Sequence, residues 1–220
     1  MRLANEIERR LERLVDGATA AVFRGKMHPV DMAERLVRQA DFLAFDGPVG
    51  PEIPNEWTMH INPFDIHDDI DRDDLAAELA AAVAVTAQDR AWRLSGPVSV
   101  DISADPDVPR GLADCTGLST PGSLPAWGQL VATSPPLALD IADNRNALGR
   151  ALDSDVVANI PEVSRHQAVI VRRGSEITIG DTTSANGTFV NGENIGSGQY
   201  PLLPGDTVTV GDVDFTFRLL

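Results

Sequence analysis

The sequence predicts an α+β domain followed by an all-β sandwich, and three patterns lead to this prediction. In the first hundred residues, apolar side chains recur at helical spacing in some segments and alternate in others. From residue 137 onward, apolar residues occur in short alternating runs that turn-forming pairs such as Asn-Gly separate every eight to twelve residues. A stretch rich in proline and glycine over 105–136 lies between the two. We therefore expect domains over 1–104 and 137–220 with a linker between them.

The first domain is predicted to contain helix, helix, strand, helix and strand, in that order. Helical spacing covers residues 3–23, and Pro29 can begin a second helix because a proline in the first turn loses no helical hydrogen bond. A strand is predicted over Glu56–Ile61, with Trp57, Met59 and Ile61 on one face. The remaining predicted elements are a helix over Leu75–Arg90, a strand over Val98–Ile102, and a loop over Phe45–Asn55.

Composition restricts the class of ligand and the compartment. The 220 residues carry a formal net charge of -15, which disfavours nucleic acid and anionic membrane surfaces as partners. The single cysteine, Cys115, excludes an internal disulfide and a cysteine-based zinc site. The charged start of the chain is unlike a signal peptide, and the apolar runs are too short to insert into a bilayer. We expect a cytoplasmic protein, with recruitment to the membrane by a partner as an open option.

Three short motifs between residues 145 and 192 point to an anion site. Gly149-Arg150, Ser164-Arg165 and the run that ends in Asn186-Gly187 are separated by strand-like segments, so all three are predicted to be loops between strands. Guanidinium groups and hydroxyls on neighbouring loops match the oxygens of a phosphate. A cluster of histidines and aspartates over residues 60–74 lacks the glycine of a calcium loop, so we expect a solvated loop with helix-capping aspartates there, and neither a metal nor a cofactor.

The motifs are also those by which a known family is identified. Gly149-Arg150, Ser164-Arg165, Ser184 to Thr188 and the closing segment Leu203 to Gly211 resemble the forkhead-associated (FHA) domain in order and separation. Segments of the first half, including His28-Pro29-Val30 and Gly96-Pro97-Val98, are similar to the N-terminal domain of FhaA-type bacterial signalling adaptors.

The resemblance implies an eleven-stranded sandwich whose apical loops bind phosphothreonine segments. Arg150 would contact the phosphate, Ser164 would donate its hydroxyl to it, and Arg165 and Asn186 would hold the peptide backbone. The full set of phosphopeptide-binding residues is Arg150, Ser164, Arg165, Ser184, Ala185 and Asn186. The residues expected to shape the loops are Gly149, His166, Gln167 and Gly187.

Two positions depart from the family pattern. The family has Ser-Arg-x-His where this chain has Ser164-Arg165-His166-Gln167, so either the Gln167 amide or a displaced His166 has to brace the loops. The family often has threonine where this chain has Ala185, which removes one hydroxyl contact to the phosphate.

The leading hypothesis is a non-enzymatic adaptor that binds proteins phosphorylated by Ser/Thr kinases, with a link to the regulation of cell-envelope synthesis. Its partners would be a Ser/Thr kinase or a kinase substrate, and a second protein at the N-terminal domain. One alternative is a switch in which a phosphorylated linker residue, Thr116 or Thr120, occupies the chain's own site. Another is an enzyme in the first domain, for which a deep pocket lined by His60, Asp65 and His67 would be required.

Overall fold

A computed structural model describes residues 27–66 and 71–220, which form two compact units. Among these residues, the first unit spans 27–45, 51–66, 71–89 and 94–123. The second unit comprises Asp46–Gly50, Arg90–Arg93 and Leu124–Leu220. The helix predicted over 3–23 lies outside the described residues. None of the described helices is long and apolar enough to cross a membrane.

Two predicted helices of the first unit are confirmed. Helix α1 spans Pro29–Leu43 and buries Met32, Leu36 and Ala40, which recur at three- to four-residue spacing. Helix α2 spans Arg72–Arg90. It begins three residues before the predicted start because Asp71 Oδ1 accepts the Asp73 amide at 2.8 Å and so satisfies a free donor of the first turn.

A three-stranded sheet completes the first unit, in the order β5-β3-β6. Strand β3 is Glu56–Ile61, as predicted, and Trp57, Met59 and Ile61 are all buried. Strand β5, Ser99–Ala104, runs parallel to β3, whereas β6, Ala113–Leu118, runs antiparallel to it. The predicted pairing of helices with strands in an α+β arrangement is therefore confirmed.

Three short strands form a second small sheet in the order β1-β2-β4. They are β1 Phe45–Gly47, β2 Gly50–Ile53 and β4 Arg93–Leu94. The loop predicted over Phe45–Asn55 was therefore wrong in part. Gly50 lies at φ +131, where glycine is tolerated, so a glycine that indicated a loop begins a strand instead.

The second unit is an all-β sandwich of eleven strands over its described residues, in sheets of five and six. One sheet has the order β10-β9-β11-β12-β15, and the other has the order β14-β13-β16-β17-β7-β8. Leu130, Ile170 and Phe215, from both sheets, are fully buried in one core. The strands are β7 Gly128–Thr133, β8 Pro136–Ile141, β9 Arg145–Gly149, β10 Val156–Val157, β11 Ala168–Arg173, β12 Glu176–Asp181, β13 Thr188–Val190, β14 Glu193–Asn194, β15 Tyr200–Pro201, β16 Thr207–Val210 and β17 Val213–Leu219.

The predicted linker over 105–136 requires a correction, because it contains β6 and β7. Its prolines and glycines lie largely outside those strands, and the small or polar residues of β6 hide its alternation of buried and exposed positions. Trp127 is also part of the second core, where its indole N–H donates to the Asp143 carbonyl at 2.9 Å. The segment without regular structure between β6 and β7 is 119–127.

Asn55 fixes the start of that segment. Its side chain is 2% exposed, donates to the Pro97 carbonyl at 3.1 Å and accepts the Thr120 amide at 2.9 Å. Its backbone amide donates to the Leu118 carbonyl. One buried residue thus joins the beginning of β3 to Pro97, Leu118 and Thr120.

We predict that Asn55→Ala lowers the free energy of unfolding by about 1–3 kcal/mol, because it leaves a buried donor and acceptor without partners. Asn55→Asp keeps the acceptor for Thr120 but sets a buried carboxylate oxygen against the Pro97 carbonyl, so it should also be destabilised at neutral pH. Urea denaturation measures the stability, and limited proteolysis should cut 119–127 faster in Asn55→Ala. Equal stability and equal cleavage of the variant and the parent would contradict this role.

Candidate functional site

Three loops of the sandwich meet through backbone hydrogen bonds. The first loop, 150–155, follows β9; the second, 158–167, follows β10; the third, 182–187, follows β12. The Arg150 amide donates to the Ser164 carbonyl at 2.9 Å, which joins the first loop to the second. The Thr182 amide donates to the Gln167 carbonyl at 3.1 Å, which joins the second to the third. The motifs that the sequence separates by about fifteen to twenty residues are therefore neighbours in the structure.

The side chain of Arg150 is exposed, and one hydrogen bond to the backbone fixes its orientation. Its Nε donates to the Val163 carbonyl at 3.0 Å, and this bond leaves the two terminal nitrogens for a ligand. Gly149 makes the approach of the second loop feasible, since a Cβ at this position would overlap the Arg165 carbonyl oxygen. The glycine is required by close packing, because its backbone is not in a left-handed conformation.

Ser164 has a hydroxyl that can still donate. Its Oγ accepts the Ala185 amide at 3.0 Å, which uses one lone pair and leaves the hydroxyl proton for an acceptor such as a phosphate oxygen. Ala185 contributes here through its backbone, so the missing threonine hydroxyl leaves this contact intact.

The side chain of Gln167 connects the second loop to Gly187 and Thr188. The side chain is 1% exposed, and its Oε1 accepts the Ser164 amide at 2.9 Å. Its Nε2 donates to the Gly187 carbonyl and to Thr188 Oγ1, both at 3.0 Å. The His166 side chain is exposed, and only its backbone carbonyl takes part, as the acceptor of the Thr182 hydroxyl.

Asp181 organises the third loop. Its Oδ1 accepts the Ser184 amide at 2.8 Å, and its Oδ2 accepts the hydroxyls of Ser184 at 2.5 Å and Thr188 at 2.7 Å. Partial burial raises the pKa of Asp181, but the hydrogen bonds from Ser184 and Thr188 outweigh burial, and the net pKa lies below its usual range. The carboxylate is therefore ionised at neutral pH.

The third loop also contains two left-handed residues. Gly187 has φ +83, as its place after Asn186 predicts, and its carbonyl is the one that Gln167 holds. Thr183 has φ +64, which is costly for a β-branched residue. The hydrogen bonds to Asp181 hold this conformation in place.

The remaining predicted residues occupy less constrained positions. Arg165 and Asn186 are exposed, and Asn186 Nδ2 makes a long 3.5 Å bond to the Glu162 carbonyl. The Ser184 hydroxyl donates to Asp181, so it supports the loop in this state. The sequence interpretation missed Asp181 and Thr188 as contributors. The signal was an aspartate three residues before a serine, a spacing that allows a side-chain cap of the loop.

The first unit gives no comparable site in its described part. Asp65 is fully buried and accepts the Gly111 amide at 2.7 Å, so it does not line an open pocket. A cleft of about 240 Å³ lies on β3, β5 and β6, but neither His60 nor Asp65 lines it. Among the described residues, no group of three or more His, Cys, Asp or Glu side chains is placed to hold a metal ion.

Comparisons with known proteins agree with this architecture. The family model described as "FhaA, N-terminal domain" matches residues 5–116, and the model described as "FHA domain" matches residues 146–211. The chain belongs to the FhaA N-terminal domain family. It carries an FHA domain as its second unit. A solved FHA domain studied for phosphothreonine-dependent interactions is 23% identical and covers 43% of this chain and 97% of its own, with a TM-score of 0.39.

Each of the individual relatives matches less than half of the chain. The ABC transporter ATP-binding/permease protein Rv1747 of Mycobacterium tuberculosis is 42% identical over 92 residues, which are 41% of this chain and 9% of that protein. The transcriptional regulatory protein EmbR of Mycobacterium bovis is 42% identical over 72 residues, 33% of this chain and 18% of that protein. A solved structure of the FhaA FHA domain, complexed with the intracellular domain of Rv3910, is 26% identical and covers 43% of this chain and 100% of its own, with a TM-score of 0.38. This chain thus matches less than a fifth of the length of either curated relative.

We predict that Gln167→Met destabilises the second unit by about 1–3 kcal/mol, because methionine fills the volume but pairs neither the Ser164 amide nor the Gly187 carbonyl. Gln167→Glu keeps the acceptor but places a carboxylate oxygen against Gly187. This variant should regain stability as the pH falls, because the protonated acid can donate. Thermal unfolding at neutral and mildly acidic pH checks both, and a Met variant as stable as the parent would contradict the bracing role.

We predict that Asp181→Asn destabilises the protein at neutral pH. In the parent, the Ser184 and Thr188 hydroxyls donate to Asp181 Oδ2, and in the variant they would face the donor nitrogen of the asparagine amide. A carboxyl with a lowered folded pKa contributes stability above its unfolded pKa of about 3.9 and loses it as the pH falls through the folded pKa. The stability difference between parent and variant should therefore be constant from about pH 8 to pH 5 and shrink below.

Urea denaturation midpoints across this pH range measure the difference. Asp212→Asn is the matched control, since Asp212 is exposed and lies in the turn between β16 and β17. A difference that grows on acidification would show that Asp181 acts in the opposite direction.

Proposed function

We propose that this protein is a non-enzymatic adaptor whose second unit binds phosphothreonine segments of proteins phosphorylated by Ser/Thr kinases. The observation that carries the proposal is the pairing of Arg150 with Ser164. The terminal nitrogens of Arg150 are left for a ligand by the bond from Nε to Val163, and the Ser164 hydroxyl proton is left by the bond from the Ala185 amide. A cation and a hydroxyl donor on adjacent loops are the groups that a phosphate monoester needs.

Charge supports a local site for one phosphate over a general polyanion surface. The chain has a net charge of -15, so an extended nucleic acid would be repelled by most of the protein. Arg150 and Arg165 are exposed on neighbouring loops and supply positive charge at one place. A peptide with a single phosphate is attracted by these two arginines, and it carries too little additional negative charge to be repelled strongly by the acidic surface.

The proposed site also contacts the peptide backbone on either side of the phosphothreonine. Arg165 and Asn186 are exposed beside Ser164 and Ala185 and would hold the peptide backbone, whereas Gly149, Gln167 and Gly187 shape the loops. The hydroxyl of Ser184 is committed to Asp181, so Ser184 would act through loop shape. These assignments follow the FHA resemblance and the positions of the side chains.

A partner in another molecule is favoured over the chain's own threonines. Thr116 lies within β6, where it pairs with Thr58 of β3, and the Thr120 amide is bonded to Asn55. A bound segment presents its phosphate and its neighbouring backbone together, so either threonine would first have to lose these contacts.

In this proposal, the N-terminal domain binds a second protein. The proposal includes a role in regulating cell-envelope synthesis, which the resemblance to FhaA-type adaptors implies.

We predict that Arg150→Ala weakens binding of a phosphothreonine peptide about 30-fold, since a charge-assisted bond of roughly 2 kcal/mol is lost. Arg150→Lys should be intermediate because an ammonium keeps the charge but has no planar fork. Calorimetric titration of the full chain measures both.

Arg218→Ala is the matched control. Arg218 is an exposed cation on β17, and the variant should bind as the parent does. An Arg150→Ala variant that binds with unchanged affinity would refute the proposed site.

A further inference from the structure

The second unit includes an arginine from outside the stretch that matches the FHA family model. Arg93 belongs to the segment Arg90–Arg93, which is part of this unit, whereas the FHA match covers residues 146–211. Its side chain is 16% exposed. An arginine that is largely removed from water has to be paired, and the pairing of Arg93 is extensive.

Arg93 makes a two-pronged contact with the end of the first loop. Its Nη1 and Nη2 donate to the two carboxylate oxygens of Asp155, at 2.7 and 2.8 Å. This parallel arrangement is the strongest and most directional form of an arginine–carboxylate pair. Asp155 is the last residue of the loop that begins with Arg150.

The same guanidinium also holds the strand that leads into the loop. Nη1 donates to the Arg145 carbonyl at 2.7 Å, at the start of β9. Asp155 Oδ2 accepts the Ala147 amide at 2.7 Å, in the middle of β9. Arg93 and Asp155 together therefore fix the distance between β9 and the end of the loop. A second carboxylate, Asp143, lies 3.6 Å from Arg93 Nε.

The segment that carries Arg93 is itself tied to β9 and to the residue before it. The Arg145 Nε donates to the Ala91 carbonyl at 2.8 Å, and the Asn144 Nδ2 donates to the Trp92 carbonyl at 2.9 Å. The backbone of the two residues before Arg93 is thus held, in addition to the Arg93 side chain. Such a support restricts the loop without touching a ligand.

We propose that Arg93 is a positioning residue of the phosphopeptide site, which holds the first loop so that Arg150 is presented in its binding geometry. This inference rests on the proposed function. Ordering a loop upon binding costs affinity, and a loop that is already ordered avoids that cost. Without Arg93, Asp143 and Asp155 lose their common cation, and the end of the loop is held to β9 only by its remaining contacts, such as the bond from the Ala147 amide to Asp155.

The test uses the full chain and a phosphothreonine peptide selected from a degenerate library against the parent protein. Arg93→Ala should bind about tenfold more weakly, as expected when a preformed loop has to be ordered on binding. Asp155→Ala should have a similar effect, and the double variant should lose less affinity than the product of the two single effects, because both single variants break the same ion pair. Arg218→Ala, which also removes one positive charge, should leave the affinity unchanged.

A spectroscopic readout separates positioning from general stability. In Arg93→Ala, the Arg150 Nε–Hε signal should show faster exchange and the amides of 150–155 should show lower order, while the amides of β13 and β16 stay as in the parent. If Arg93→Ala fails to fold, Arg93→Lys provides the comparison. It keeps the charge without the fork and should bind several-fold more weakly.

The outcomes distinguish the two claims. If the parent binds no phosphothreonine peptide from the library, the proposed function fails. If the parent binds and Arg150→Ala does not, but Arg93→Ala, or Arg93→Lys where Ala does not fold, binds as tightly as the parent, the role of Arg93 is overturned. Weaker binding with additive effects in the double variant also overturns it, because Arg93 would then act independently of Asp155.

Discussion

One chain of hydrogen bonds determines the geometry of the second and third loops of the candidate site. The Ser164 amide donates to Gln167, Gln167 donates to Thr188, and Thr188 donates to Asp181, which also accepts the Ser184 hydroxyl. Every bond points toward the ionised carboxylate, so each is strengthened by the charge at the end of the chain. The loops carry no regular structure of their own, and this chain supplies what a ladder of strand hydrogen bonds supplies elsewhere.

The network explains how the loops accommodate one of the two departures from the family pattern. Gln167 provides an acceptor on one side and a donor on the other, and it does so without a titratable group. Ala185 retains its backbone contact with Ser164. The two predicted weaknesses therefore affect the site differently: the first is compensated by the amide, whereas the second removes a hydroxyl that no neighbouring contact replaces.

Much of the fold follows from local patterns in the sequence. The alternation of Trp57, Met59 and Ile61 identified β3 with its correct bounds, and Pro29 marked the first turn of α1. A positive φ was predicted for Gly187 from its place after Asn186, and Gly187 has φ +83. The strand β6 was missed because small and polar residues conceal its alternation, and its partner β3 lies far away in the sequence.

The side-chain contacts of the site could be predicted only in part, for a related reason. Gln167 stood out as a departure, but two of its partners, Gly187 and Thr188, lie about twenty positions further along the chain. Arg93 and Asp155 are 62 positions apart, and nothing local to either residue indicates the pair. Such contacts depend on the tertiary packing that brings distant segments together, so the sequence reveals the residue types and the structure reveals their partners.

The central claim is that the three loops form a site for a phosphorylated threonine segment. The most direct measurement is a calorimetric titration of the full chain with one phosphothreonine peptide, its unphosphorylated form, and a form with glutamate in place of the phosphothreonine. The account predicts saturable binding of the phosphorylated peptide alone, because a single carboxylate cannot engage both Arg150 and Ser164 as a phosphate does. Equal binding of all three peptides, or binding of none across a degenerate set of phosphothreonine sequences, would contradict it.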